Sequence, residues 1–461
     1  MKIGILPLGR PTFDVPYANE KLAVMLTALK QTGHNIVGPT DLLFKAEDTK
    51  AAIEQLLAEN IDQLLVLQVT FTDASMTVET ANAFDVPISI WAVPEPRIGG
   101  RLRLNAFCGL NLASHALGLN GREFSWLYKD PENAPIDDLH ALFDGQRISG
   151  RVGGQPSTEF ASEHGAAVAE RVHGKRIARI GEPPSGFDTC DYSKDQMMNL
   201  SGVSVDEMSL EDLFDTASAA SSDETAIVMR AATDVLDGLG EVNQEELDKS
   251  LRLKVALDEI RESGNYDAFA IRCWPETFTE YGGAVCGPAS MLGEARVPCA
   301  CEADVYGALT QLVLQEVAQA PVFLTDLVDM DAEDNTGVVW HCGQAPISMR
   351  DPDIQATATI HTNRKMPLLY EFPLREGRVT FVRISQAFGE SKMILAGGQM
   401  LKRPMAFTGT SGVVRFDNDA KITLGNIISS GLEHHLALAY GEHRPLLRAT
   451  AAAMNLPVLE L

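Results

Sequence analysis

No stretch of this 461-residue chain approaches the ~20 consecutive apolar residues that a membrane span needs. The opening segment, MKIGILPLGRPTFDVP, is apolar for only a few residues before Pro7, Arg10 and Asp14. That is too short and too interrupted for the apolar core of a signal peptide. Basic residues are in deficit, 38 Lys and Arg against 63 Asp and Glu, which leaves a net charge of −25. A phosphate backbone or an anionic lipid surface would be repelled, so neither nucleic acid nor a membrane is expected as a partner. The seven cysteines are odd in number and follow no framework spacing, which suits a reducing compartment. A cytoplasmic protein is therefore expected. Internal repeats and low-complexity tracts are also missing.

What is present is enough chain for two or three domains. With 45% hydrophobic and 22% charged residues, it reads as soluble and globular. Over the first 125 residues, apolar runs (KIGILPL, IDQLLVLQVT, VPISIWAV) alternate with helical spacing such as ANEKLAVMLTALKQTG. Continuous apolar strands separated by amphipathic helices predict a parallel sheet covered on both faces. The glycine-rich, polar stretch 145–158 predicts a linker or exposed loop. The pattern then restarts, with strands at KRIARIG, YDAFAIRCW and APVFLTDL and helical windows near 207–216, 222–238 and 243–263. After about residue 335, short alternating strands (IQATATIHTN, LLYEFPL, GRVTFVRIS, GVVRFDN) predict an antiparallel barrel or sandwich, closed by a helix near RPLLRATAAAMN. The expected class is α/β: two doubly wound parallel-sheet domains, 1–150 and 151–334, followed by a C-terminal antiparallel β-barrel-like domain, 335–461.

The segment VPCACEADVYGALTQ (297–311) places Cys299 and Cys301 just before Glu302. A structural zinc site commonly takes four soft ligands in two spaced pairs, and no matching second pair exists, so the cysteines are expected to pack. Glu302 sits where a strand gives way to a helix, the place where α/β proteins put ligands. A helix-start glutamate stabilised by the dipole explains it equally well from this segment alone. PVFLTDLVDMDAEDN also leaves an apolar run with a carboxylate, Asp326, ahead of further acids that read as solvated surface. Of only ten histidines, His341 follows a strand run and the adjacent pair His434 and His435 opens another. Successive strand residues face opposite sides, so one of that pair is expected to point into a given site. Two carboxylates with one or two histidines suit a hard or borderline divalent cation such as Mn²⁺.

In order and spacing, PLGRPTFD, LQVTFTDASM, AFCGLNLASHAL, IGEPPSGFD, IRCWPE, CEADVYGALT, DLVDMDAEDNT, WHCGQAP and EHHLALAYGE resemble the L-fucose isomerase-like branch of the L-fucose and L-arabinose isomerase superfamily. The resemblance implies a metal-dependent aldose–ketose isomerase working through an enediolate. It implies Glu302 and Asp326 as metal ligands and proton-transfer groups, and a histidine ligand within EHH, His435 in preference to His434. His341 matches a position that is a ligand in the arabinose branch. The resemblance also implies a homotrimer or homohexamer in which one subunit's N-terminal domain covers another's site. Candidate sugar contacts are Arg10, Thr12, Gln68, Thr70, Phe71, Asn105 and Trp274, each equally readable as a turn or surface residue. Arg10, Arg101 and Arg103 would permit an acidic or sulfonated sugar. The competing functions are an epimerase or carbon–carbon bond enzyme on the same scaffold, and a non-catalytic sugar-binding protein.

Overall fold

The structure is a computed structural model that describes residues 1–146 and 152–461. The expected 150/151 boundary, and the middle of the expected 145–158 linker, lie outside the described residues. Three sheets organise the chain. The first has five parallel strands in the order Asn35–Val37, Lys2–Leu8, Gln63–Gln68, Ile88–Ala92, Ser125–Tyr128. Three of these strands, Gln63–Gln68, Ile88–Ala92 and nearly all of Lys2–Leu8, are buried at successive residues, as expected of a sheet covered on both faces. Helices such as Val15–Gln31 and Ala106–Leu119 supply the cover. The second sheet has four parallel strands, Ser204–Met208, Arg176–Ile180, Ala268–Ile271 and Cys299–Ala300. Helices Leu210–Ala219, Ser222–Thr233 and Gln244–Gly264 fall in the windows where helical spacing places them.

The third sheet is mixed and has nine strands. Six of them pair antiparallel in a ring: Phe323–Asp331, Thr336–His341, Thr410–Phe416, Lys392–Leu401, Gly377–Ser385 and His435–Tyr440, the last returning to the first. The ring is a barrel-like closure that leaves these strands without a free edge.

Strand Phe323–Asp331 departs from expectation. The sequence pattern puts it with the second parallel sheet, but it pairs antiparallel inside the ring. Eight of its nine residues are buried, so its apolar run looks the same as that of a parallel strand covered on both faces. Asp326 consequently lies within this strand and not at its end.

Helix Val305–Ala318 joins the second sheet to the ring. It is buried from Val305 through Gln315. One apolar cluster contains Ala268, Ala270 and Ala300 of the parallel sheet, the helix, and Val382, Ile384, Ala437 and Ala439 of the ring. A helix apolar on all sides is a core helix, and this one carries the barrel on the sheet. Among the described residues, no helix is long and apolar enough to cross a membrane.

Helices Glu163–Val172 and Arg444–Ala453 cross at Gly165, where an added Cβ would meet the Ala449 carbonyl oxygen at 2.2 Å. Gly165→Ala should therefore force the two backbones apart. The expected loss is about 1–3 kcal/mol, read as a lower midpoint in urea unfolding.

Candidate metal centre and active-site cleft

Local backbone aims the site. Strand Cys299–Ala300 ends in a single tight turn, Cys301–Ala303, before the buried helix begins. Glu302 and Ala303 both take left-handed backbone, φ 59° and 57°. Left-handed φ costs a non-glycine residue roughly 1–3 kcal/mol and concentrates at functional sites. The turn directs the Glu302 carboxylate toward the barrel instead of into the helix start.

Both Glu302 oxygens are held. Trp274 Nε1 donates to Oε1 at 2.9 Å, and His434 Nε2 lies 2.8 Å from Oε2. Burial raises the pKa of this carboxyl, but the His434 bond and charge, with His435 and Trp274, outweigh it and hold it at about 2. Asp326 is opposite in character. It is paired across strands with His435, whose Nε2 lies 3.5 Å from Oδ1, and that oxygen has no hydrogen-bond partner. Burial pushes Asp326 up to about 7; His435 opposes the rise and the Glu302 charge adds to it.

Partners decide what each imidazole presents, because a neutral ring has one donor and one acceptor nitrogen. His435 Nδ1 lies 2.9 Å from Asp304 Oδ2. Asp304 is fully buried and ion-paired with Arg383 through both oxygens, with Arg383 NH2 3.0 Å from Oδ1. A carboxylate so held can only accept, so Nδ1 of His435 carries the proton. Its Nε2 then faces Glu302 Oε2 at 3.8 Å and Asp326 Oδ1 at 3.5 Å. His434 is reversed. Its Nε2–H serves Glu302 and its Nδ1 meets the Thr189 hydroxyl at 3.1 Å. In His341, Nδ1 accepts the Cys342 backbone N–H at 2.8 Å, so the neutral ring presents N–H from Nε2, which has no partner. Burial and the neighbouring His435 keep His341 well below the ordinary histidine pKa, hence neutral.

Among the described residues, three groups of ligating atoms that share His435 lie within 4.8 Å of one another: Glu302, His434 and His435; Asp326, His341 and His435; and Cys190, Asp304 and His435, in the last of which Asp304 is already paired with Arg383. Among the described residues, no Lys or Arg pairs with Glu302 or Asp326. Two buried carboxylates, one of them with an unpartnered oxygen, and the Nε2 of His435 are a fitting donor set for a divalent cation. The expectation that only one of the adjacent histidines faces the site does not hold, since both rings reach Glu302. The strand starts at His435, so His434 lies off the pleat that would have alternated them.

The cleft beside these groups is lined by Arg10, Thr12, Phe71 and Asn105 of this chain's own N-terminal unit, and by Trp274, Asp326 and His341. Gln68 and Thr70 do not line it. Gln68 is fully buried under Gly109, donating to the Thr70 carbonyl and the Thr72 hydroxyl. Thr70 is also fully buried, and its hydroxyl accepts the Arg10 N–H at 2.8 Å. Both shape the loop that carries Arg10. Asn105 is fixed through its N–H, which donates to the buried Glu95 carboxylate at 2.7 Å. The cysteines also part company. Cys299 packs in the core, while Cys301 is joined in a disulfide to Cys273, next to Trp274, with Cα atoms 5.8 Å apart. Sequence reasoning missed this pairing because no spacing marks it. It also missed Asp304 and Arg383, whose partnership spans 79 residues.

Fold and site together define an α/β chain with a barrel-like C-terminal sheet and a carboxylate–histidine cluster, able in principle to hold a cation, that lines a cleft. Residues 4–143 match the family model described as fucose/sulfoquinovose isomerase, N-terminal domain. Over 464 residues the chain is 30% identical to a sulfoquinovose isomerase of Clostridium sp. (strain MSTE9), covering 99% of this chain and 98% of that one. It is 28% identical over 453 residues to sulfoquinovose isomerase of Priestia megaterium (strain ATCC 12872 / QMB1551), covering 98% and 97%. A third sulfoquinovose isomerase, from Alkalicoccus urumqiensis, is 28% identical over 459 residues, covering 99% and 98%. The chain belongs to the fucose/sulfoquinovose isomerase family, a family of sugar isomerases.

The raised Asp326 carboxyl has a consequence for the metal-free protein. The folded state keeps a proton that the unfolded state releases between pH 3.8 and about 7. Stability therefore falls as pH rises through that window. Asp326→Asn should stabilise the chelator-treated protein at pH 8, by an order of about 4 kcal/mol for three pKa units, with the gain shrinking toward pH 4. Urea unfolding at the two pH values measures it.

Proposed function

We propose that this protein is a divalent-cation-dependent aldose–ketose isomerase, with Glu302, Asp326 and His435 holding Mn²⁺ or a similar ion. The observation that carries this reading is that His435 Nε2 lies between two buried acids, 3.8 Å from Glu302 and 3.5 Å from Asp326, with no Lys or Arg paired to either acid among the described residues. His434 and His341 would stand beside such an ion as hydrogen-bond donors, because their site-facing nitrogens carry protons. A cation held there would supply Lewis acidity that eases loss of a proton next to the sugar carbonyl.

The remaining chemistry belongs to the side chains. Trp274 and His434 occupy both oxygens of Glu302 and keep it ionised and fixed. Asp326 has a free oxygen, so it takes the C2 proton to give the enediolate and returns it to C1. The hydroxyl proton moves from O2 to O1 in the same interconversion, and the aldose becomes a ketose with no net redox change. The unpartnered N–H of His341 is available to donate to a sugar oxygen. The names of the relatives make sulfoquinovose, a hexose with a sulfonate on its terminal carbon, the first substrate to offer.

Incubation with aldoses and ketoses in deuterated water, followed by NMR, tests the reaction. Deuterium at C1 or C2 with a ketose product is expected, and exchange elsewhere or chain cleavage would replace isomerisation with another enediolate reaction. Glu302→Gln should lose bound metal and cut kcat/KM by ~100-fold or more. Full metal content and full turnover in that variant would refute the assignment.

A further inference from the structure

The cleft has a second charged end. Arg364 lines it from the segment between strands Thr357–Thr359 and Leu369–Pro373. Its guanidinium lies 4.9 Å from the Trp274 ring centroid and 6.0 Å from that of Phe278. Arg10 lies 5.4 Å from the same Trp274 ring and 5.2 Å from the Phe71 ring. Arg10 is paired with Asp73 at 2.7 Å. The Arg364 side chain is half-buried and, among the described residues, forms no ion pair and no hydrogen bond. Burial and the like charge of Arg10 both lower its pKa.

This arrangement is built. The His361 ring accepts the backbone N–H groups of Asn363 and Arg364 at 3.2 Å each, which fixes the turn. Arg101 then donates from one nitrogen to the Thr12 carbonyl and the Asn363 side chain, both at 3.2 Å, tying the Arg10 loop to the Arg364 turn. Arg103 takes no part. It bonds Asp14 at 2.8 Å and stacks on Tyr17 at 3.7 Å. The expected trio of Arg10, Arg101 and Arg103 thus reduces to Arg10 with Arg101 as a brace, and Arg364 enters.

We infer that Arg364, with Arg10 beside it on the Trp274 ring, is the receptor for an anionic group at the end of the sugar remote from C1 and C2, and that it sets specificity for sulfonated over neutral hexoses. The inference rests on the isomerase reading for the orientation of the sugar. Trp274 spans the two ends, its N–H on Glu302 and its face against both guanidiniums. One indole is comparable in length to one hexose. A sugar with its reacting carbons at Glu302 and Asp326 therefore brings its far terminus to the arginines. A guanidinium offers a planar fork of donors that matches sulfonate oxygens. A neutral sugar would leave Arg364 half-buried and unpaired, a penalty that rejects the wrong substrate.

The experiment compares metal-loaded wild type, Arg364→Gln and Arg364→Lys on sulfoquinovose, glucuronate, glucose 6-phosphate and glucose. The readout is the kcat/KM ratio of each anionic sugar to glucose. Wild type should favour sulfoquinovose over glucose by ~100-fold or more, and Arg364→Gln should collapse that ratio by ~10–100-fold, with partial recovery in Arg364→Lys. An unchanged ratio in a folded Arg364→Gln overturns the proposal, as does a wild type that turns over glucose as well as sulfoquinovose. A higher ratio for phosphate or carboxylate than for sulfonate keeps the anion receptor and overturns sulfonate as its ligand. Thermal shift of the metal-free proteins by sulfoquinovose separates the two readings. A shift in wild type that is lost in Arg364→Gln supports the receptor even if no sugar is isomerised. Turnover without discrimination sinks the receptor and leaves the isomerase standing.

Discussion

The buried Asp304 carboxylate is the joint on which the site depends. It caps helix Val305–Ala318 by accepting the Gly307 N–H at 2.7 Å. It takes the Arg383 guanidinium, whose residue is fully buried on a strand of the ring, through both oxygens. It also accepts the Nδ1–H of His435 at 2.9 Å. One side chain thus ties the core helix, the barrel and a candidate ligand into a fixed arrangement. The Coulomb attraction of a buried pair is largely spent on desolvation, so its main return is positional. Here that return is the orientation of His435: with Nδ1 committed as donor to Asp304, Nε2 is the nitrogen turned toward the carboxylates. Such carboxylate-to-histidine support is the usual way a ligating imidazole is oriented.

Arg383 neutralises Asp304, and among the described residues no Lys or Arg pairs with Glu302 or Asp326. Burying two like charges near one another is unfavourable for folding, and the structure meets it unevenly. Glu302 receives two hydrogen bonds, while Asp326 receives none at Oδ1 and is pushed toward its protonated form. The left-handed backbone at Glu302 and Ala303 adds strain at the same spot. A chain selected for stability alone would have placed apolar residues here. The cost becomes intelligible if the acids are complementary to something carrying positive charge, such as a divalent ion.

The parts of this architecture visible in the sequence are those governed by local pattern. Alternating apolar runs and helices announced the two parallel sheets, and the short strands after residue 335 announced the barrel-like sheet. Glu302 stood out because a strand-to-helix junction is a local event. Asp326 also stood out, but its strand was assigned to the wrong sheet. FLTDLV is buried on both faces, and a closed ring covered by a core helix produces the same apolar run as a central parallel strand. Gln68 and Thr70 shared the strand-end position of true cleft residues, and only the close approach of Gly109 shows that Gln68 turns inward. Asp304 and Arg383 were out of reach because the meaning of each lies in the other, 79 residues away.

Trp274 shows why the centre and the cleft form one device. Its N–H restrains Glu302, and its ring faces Arg10 and Arg364. The neighbouring Phe187 ring, 5.5 Å from Trp274, also contacts Phe71 and His434 at 5.9 Å. An aromatic shelf therefore runs from the N-terminal unit to the histidines. Aromatic faces tolerate cations and also offer an apolar surface to a sugar ring. Acids gathered at one end of this shelf and guanidiniums at the other give the cleft a dipole. A ligand with an anionic terminus enters that field in one orientation, whereas a neutral hexose could lie either way round. On the isomerase reading proposed above, orientation matters because proton transfer between C1 and C2 requires those carbons to lie at the carboxylates.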